Sequence, residues 1–294
     1  TPPSRRKTLV LRPPMLECVI NVSEGSDRAV VDRLAAAGGR TTLDVHSDAG
    51  HNRSVLTLAG PGPEVEAAAR QVARTAVASL DLHDHRGAHP RIGVLDVVPW
   101  VSLTGWPVSD GPLSEALAAR DRFGRWAGEE LALPCFRYGP ERSLPELRRH
   151  AWEELRPDTG PDSPHPTAGA TAVGARPILI AYNLWLAHPD LELAHQIAGD
   201  LRRRGIRTLG LAVGSEVQVS CNLIDPWRVG PEAAFDDVAS RTDVARAELV
   251  GLAPAEVVAA SPRHRWRELD LDPSRTIEAR LEQAGLDGGS LVTP

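Results

Sequence analysis

Three histidines and an aspartate fall within seven residues in His83-Asp84-His85-Arg86-Gly87-Ala88-His89-Pro90-Arg91. Imidazole titrates near neutral pH, so a histidine in an accessible loop can take a proton from one group and give it to another. A metal site is the competing chemistry. The spacing is not that of a helical zinc pair, and nothing nearby fixes the second ring nitrogens, so no metal is expected. For His83 and His85, capping a helix or bonding a carbonyl is the favoured reading. His89 stands apart, because Pro90 holds its backbone extended and Arg91 places a cation beside it.

A second polar stretch, Asp44-Val45-His46-Ser47-Asp48-Ala49-Gly50-His51-Asn52-Arg53, lies between two apolar runs. Arg53 suits a two-pronged grip on a carboxylate, with His46 and Asp48 lining the same mouth. The plainer reading is a solvated hairpin connection. Asn21, Ser23, Glu24 and Gly25 end the first apolar run and can reach the same region. The third stretch runs from Pro157 to Thr171 and continues through Val173-Gly174-Ala175-Arg176. Its prolines and glycines argue against a helix or a central strand, so it reads as a loop, and a linker explains its composition. It lacks the Lys-Ser/Thr ending of a phosphate loop and the glycine spacing of a dinucleotide site. Glycine-edged loops do let a flat ring approach the backbone.

The elements that must position these residues alternate in type. Leu16–Val22 reads as a strand, and Asp27 caps a helix over Arg28–Ala37 that Gly38-Gly39 ends. Strands at Thr42–His46 and Ser54–Leu58 follow, then a helix from Pro63 to about Leu80 and a strand at Val94–Leu103. The order repeats as Ile178–Leu186, Leu191–Arg204, Thr208–Val213, Val217–Ile224, Glu232–Ser240 and Ala247–Leu252. Between the units lie helices near Pro112–Leu131 and Leu144–Leu155 and a short strand at Cys135–Tyr138. The expected fold is therefore α+β, with two ferredoxin-like β-α-β-β-α-β subdomains, a helical connector and a cleft between the halves. The divisions are an N-terminal extension at 1–14, a first subdomain with connector at 15–176, and a second subdomain with tail at 177–294. The charged tail after Ala260 is expected to wrap the surface.

Composition removes several classes of function. A net charge of −6 argues against a nucleic-acid surface, which needs a basic face. Cys18, Cys135 and Cys221 are far apart and sit in apolar runs, as buried hydrophobes do. Lys7 is the single lysine and lies before the first strand, which leaves no lysine for Schiff-base chemistry in the body. No apolar run has the length of a membrane span and no signal peptide precedes the first strand, so a cytoplasmic protein without membrane contact is expected.

Taken together these segments resemble the formiminotransferase domain of the formiminotransferase-cyclodeaminase family. The resemblance rests on Glu17–Gly25, on Leu43-Asp44-Val45 with Asn52-Arg53, and on His85–Gly93 before Leu95-Asp96-Val97. It continues through Pro157-Asp158, Gly160-Pro161, Gly169-Ala170-Thr171, Gly174-Ala175-Arg176, Ala181–Leu184, Gln218-Val219-Ser220, Asn222-Leu223 and Leu249–Leu252. The family transfers a formimino group from N-formiminoglutamate to N5 of tetrahydrofolate.

The resemblance implies that His89 is the catalytic histidine. It implies that Gly160, Pro161, Asp162, Ser163, Pro164, His165, Pro166, Thr167, Ala168 and Gly169 bind the folate. Asn21, Asp44, His46, Arg53 and Arg91 are the candidate substrate-binding residues. The expected partners are a folate, an amine-bearing substrate and a second copy of the chain. Ala88 stands where many relatives have glutamate, and His46 where the bifunctional enzymes are acidic. The chain is expected to be too short for a cyclodeaminase domain. The competing readings are a methylene- or formyl-tetrahydrofolate enzyme of specialised metabolism, for example one closing a ring by Mannich chemistry, and a folate-binding protein without catalysis.

Overall fold

A computed structural model describes residues 14–87, 90–105 and 107–286. His89 and Ala88 lie outside the described residues, as do 1–13 of the expected extension. Strand β1 (Met15–Val22) alternates, with Leu16, Cys18, Ile20 and Val22 turned to one apolar cluster. Helix α1 (Arg28–Ala37) begins at Asp27, whose carboxylate accepts the amides of Ala29 and Val30. It buries Val30, Val31 and Leu34. Strands β2 (Thr42–Asp48) and β3 (Arg53–Pro61) form a hairpin. Helix α2 (Gly62–Ser79) buries an alanine- and valine-rich stripe, and β4 (Leu95–Thr104) closes the unit. These strands lie in the antiparallel order β2-β3-β1-β4, the arrangement of a β-α-β-β-α-β unit.

The connector does more than link. It comprises β5 (Ser109–Asp110), α3 (Leu113–Leu131), β6 (Cys135–Tyr138), α4 (Leu144–His150) and β7 (Thr171–Ala175). The stretch expected to be only loop therefore ends in a buried strand. β7 pairs parallel with both β4 and β6 and extends the first sheet to seven strands. Its glycine is the reason composition misled: a Cβ on Gly174 would meet the Tyr138 ring at 2.0 Å, so only glycine lets that ring lie flat against the strand. Helix α4 stops at His150, short of the expected Leu155, because Trp152 turns left-handed (φ 73°) and packs edge-on against Phe136.

The second unit repeats the first with β8 (Ile180–Leu186), α5 (Leu191–Arg203), β9 (Arg207–Val213), β10 (Glu216–Leu223), α6 (Pro231–Ala239) and β11 (Val244–Val250). Its sheet has the order β11-β8-β10-β9, the same relative positions as in the first unit. The tail continues through α7 (Ala255–Ala260) to α8 (Ile277–Gln283). It does not simply wrap the surface. Ile277, Leu281 and Leu286 join Leu43, Ala59, Val101 and Leu103 in a core on the far face of the first sheet. All three cysteines are buried and free.

The first sheet carries α1, α2 and α3 on one face and α4 and α8 on the other, whereas the second packs its helices on one face. In the second, Ile180, Tyr182 and Leu184 face α5 and α6, so alternation turns Asn183 and Trp185 the other way. The polar faces of the two sheets oppose each other. His46 Nε2 on β2 lies 3.1 Å from Glu248 Oε1 on β11, and the His51 and Gln218 side chains meet at 2.9 Å.

Candidate active site

Strand register gathers the polar loops at one edge. β1 runs antiparallel to β3 and β4, placing Val22 opposite both Ser54 and Leu95, and β7 runs beside β4 in parallel. The end of β1 and the starts of β3, β4 and β7 therefore share an edge, and the loops that follow or precede them converge there.

Their contacts are close. His85 Nε2 is 2.8 Å from the Asn52 carbonyl oxygen. Asn52 is left-handed (φ 46°) and its side-chain oxygen accepts the Gly25 amide at 2.9 Å. A Cβ on Gly87 would stand 2.3 Å from the His51 carbonyl. His85 is thus a structural tie, as is exposed His83, whose Nδ1 lies 2.7 Å from Asp81. For His85 this is the carbonyl contact expected; the His83 ring meets a carboxylate rather than a helix end or a carbonyl.

The candidate folate segment divides. His165–Gly169 folds on itself: the His165 amide donates to the Gly169 carbonyl at 2.8 Å, and His165 Nδ1 accepts the Ala168 amide at 3.0 Å. That end docks on the entry to β4, with Val94 N–H donating to the Ala168 carbonyl and Ala170 N–H to the Ile92 carbonyl, both at 3.0 Å. Two glycines permit it. A Cβ on Gly93 would meet the Ala170 carbonyl oxygen at 1.9 Å, and Gly169 has φ 71°. The Gly160 end is anchored elsewhere, against the Leu133 carbonyl and Gly128. Pro161 is half-buried, Thr167 half-buried, and Asp162, Ser163, Pro164 and Pro166 are exposed between the two anchors.

The candidate substrate residues also divide. Asn21, Val55 and His46 form one row across β1, β3 and β2. Arg53 donates to the Asn21 side-chain oxygen through Nη2. Burial pushes its guanidinium down to about 10 despite the nearby Asp96 carboxylate, and its Nε is buried without a hydrogen-bond partner. Asp96 is engaged by Arg148 at 2.5 Å, which also donates to the Pro90 carbonyl at 2.6 Å. Among the described residues, no carboxylate lies within ion-pair distance of Arg53. Arg91 donates to the Gly87 carbonyl at 2.7 Å and so clasps the base of the histidine loop. Asp44 lies two rows further along β2, where burial raises its carboxyl and the cations Arg275 and Arg280 oppose that shift. It lines a groove with Thr42 and Arg280.

In this cleft Glu248 carried no chemical signal in sequence, and Asn183 and Gln218 entered only through the family resemblance. Glu248 meets His46, and its Oε2 accepts from Asn183 Nδ2 and Trp185 Nε1, each at 3.0 Å. Burial acts to raise its carboxyl, but the contacts with His46, Asn183 and Trp185 prevail and hold it near 2. It is a carboxylate at neutral pH. His51 is buried, and desolvation pushes its imidazole down against the pull of Asp48. The polar alternation on β8, β10 and β11 was the signal that would have found Asn183, Gln218 and Glu248. Among the described residues no cluster of three metal-ligating side chains occurs, and no helix is long and apolar enough to cross a membrane.

Residues 15–176 match the family model for the formiminotransferase domain, N-terminal subdomain. The chain is 32% identical to the glutamate formimidoyltransferase of Streptococcus pyogenes serotype M1, across 90% of this chain and 97% of that protein. It is 30% identical to the glutamate formimidoyltransferase of Thermoplasma acidophilum, across 92% and 98% respectively. The formimidoyltransferase-cyclodeaminase of Gallus gallus is 32% identical across 95% of this chain, which spans 58% of that longer protein. The chain belongs to the formiminotransferase family.

Proposed function

We propose that the chain is a tetrahydrofolate-dependent one-carbon transferase of the formimino type, working by histidine acid–base chemistry. One observation carries the reading beyond family membership. The loops of the three polar stretches meet at one sheet edge, around a buried guanidinium, Arg53, that has no carboxylate within ion-pair distance among the described residues, the nearby Asp96 being engaged by Arg148. A buried cation costs stability unless an anion reaches it, so its retention fits a ligand carboxylate. Both a folate and an amino-acid substrate bring one.

Transfer requires a folate nitrogen to attack an amidine-type carbon and an amine to depart. The C–N bond to folate forms as the nucleophile loses a proton. The C–N bond to the amine breaks as the amine gains one. Imidazole serves both steps, and His89, between Gly87 and Pro90, is the proposed catalytic group. The folate is proposed to lie along Gly160–Gly169, its ring against the glycine-edged end that docks on β4. Asn21, His46, Arg53 and Arg91 are proposed to hold the second substrate, with Asp44 at the margin.

Isothermal calorimetry with 5-formyltetrahydrofolate tests the folate half. No heat at high micromolar ligand, in folded protein, would count against it. The second substrate is proposed to differ from simple N-formiminoglutamate, because His46 and Ala88 alter the charge expected around the reacting carbon. A kcat/KM with formiminoglutamate of order 10⁴ M⁻¹s⁻¹ or above would defeat that part.

A further inference from the structure

Taking the folate-dependent transfer proposed above as the reaction, we infer that His46 is a second proton-carrying catalytic group, aimed across the cleft by Glu248, Asn183 and Trp185. The geometry is that of a histidine braced on one nitrogen and open on the other. Nε2 lies 3.1 Å from Glu248 Oε1. The second carboxylate oxygen is fixed by Asn183 and by the Trp185 indole, so the carboxylate cannot swing away without losing two hydrogen bonds. A carboxylate facing Nε2 selects the tautomer with the proton there and leaves the Nδ1 lone pair available. Nδ1 has no hydrogen bond from any described residue and is not among the buried polar atoms.

Position supports the role. His46 shares a row with Asn21, two strands away, and Asn21 holds the Arg53 guanidinium. Two strand spacings are about 10 Å, within the reach of one small substrate anchored at Arg53. The brace also spans the two halves: β2 belongs to the first sheet and β8 and β11 to the second. The imidazole is therefore set by how the two halves sit against each other. The titratable groups facing His46 are Asp44 on its own strand, His51 in the β2–β3 turn and Glu248 on β11. In the reaction, Nδ1 takes the proton released when the folate N–C bond forms, while a protonated His89 gives one to the nitrogen that leaves as the second C–N bond breaks; the two imidazoles then re-equilibrate through solvent, so no net proton is left on the enzyme.

The test uses the full chain labelled with ¹⁵N-histidine, with His46→Gln assigning the resonance. Long-range ¹H–¹⁵N spectra are expected to show His46 as the Nε2–H tautomer in wild type and as a mixture in Glu248→Gln. Adding 5-formyltetrahydrofolate is expected to shift the Nδ1 signal. With formiminoglutamate as a slow alternative substrate and tetrahydrofolate, His46→Gln should lower kcat about 100-fold, more than it raises KM, and His46→Gly should regain activity in added imidazole. A wild-type Nδ1–H tautomer would overturn the proposal. So would an unmoved Nδ1 signal in protein whose calorimetry shows folate bound. Absence of binding heat would instead remove the folate reading, with the tautomer still deciding whether Glu248 aims the ring.

Discussion

Replacing Arg53 by methionine should make the protein more stable and less able to bind. Burial takes the guanidinium from 12.5 to about 10, which corresponds to about 3 kcal/mol of unfavourable desolvation. Partial exposure of the residue relieves roughly half of that through solvent screening. Methionine keeps the apolar stem, while the Asn21 carbonyl loses a donor at a cost of about 1 kcal/mol. The net expectation is a gain of up to about 1 kcal/mol, a rise in Tm of about 2–4 °C for a chain of this size. The sign holds across neutral pH, because a cation with a depressed value is charged, and penalised, at every pH below about 10. Affinity for 5-formyltetrahydrofolate or for the second substrate should fall by tenfold or more, as a charge-assisted pair to a ligand carboxylate is lost. Differential scanning calorimetry and titration calorimetry on the same preparations make the measurement. A less stable variant with unchanged affinity for both ligands would show that Arg53 is a structural cation, and the anion-site reasoning would be refuted.

Three further outcomes are expected. His89→Ala should lower kcat by about 10² with folate affinity nearly intact, whereas His83→Ala and His85→Ala should cost less; equal activity of His89→Ala would move the proton shuttle to His46 or His51. Gly93→Ala forces a Cβ to within 1.9 Å of the Ala170 carbonyl oxygen. It should cost about 2 kcal/mol or more by parting two backbone hydrogen bonds, so a Tm within 1 °C of wild type would contradict the packing. The pH profile of stability should carry two carboxyl signatures of opposite sign. Burial raises Glu17 from 4.5 to about 7. The folded state therefore keeps a proton that the unfolded state has lost, stability falls from pH 4.5 to 7, and Glu17→Gln should remove that slope. Glu248 is depressed from 4.5 to about 2, so its contribution is present above pH 4.5 and lost as pH falls through about 2, and Glu248→Gln should flatten the acid limb. Urea denaturation at stepped pH reads both.

What the sequence determined by itself was local. Asp27 as a cap, the alternating faces of β1 and the helix stripes follow from backbone geometry over a few residues, so the elements of both β-α-β-β-α-β units were legible within a residue or a few at their ends. So were the three polar stretches, because turn chemistry and clustered imidazoles need no distant partner to be noticed. Tertiary structure decided what those stretches face. Alternation says that Asn183 and Glu248 lie opposite the apolar residues of their strands, but not that His46 of the other sheet stands against them. The His51–Gln218 contact joins residues 167 apart in sequence. β7 was hidden for the same reason. A five-residue strand that spends one position on glycine has little propensity of its own, and it exists because β4 and β6 supply hydrogen bonds on both sides and Tyr138 fills the space a side chain would have taken.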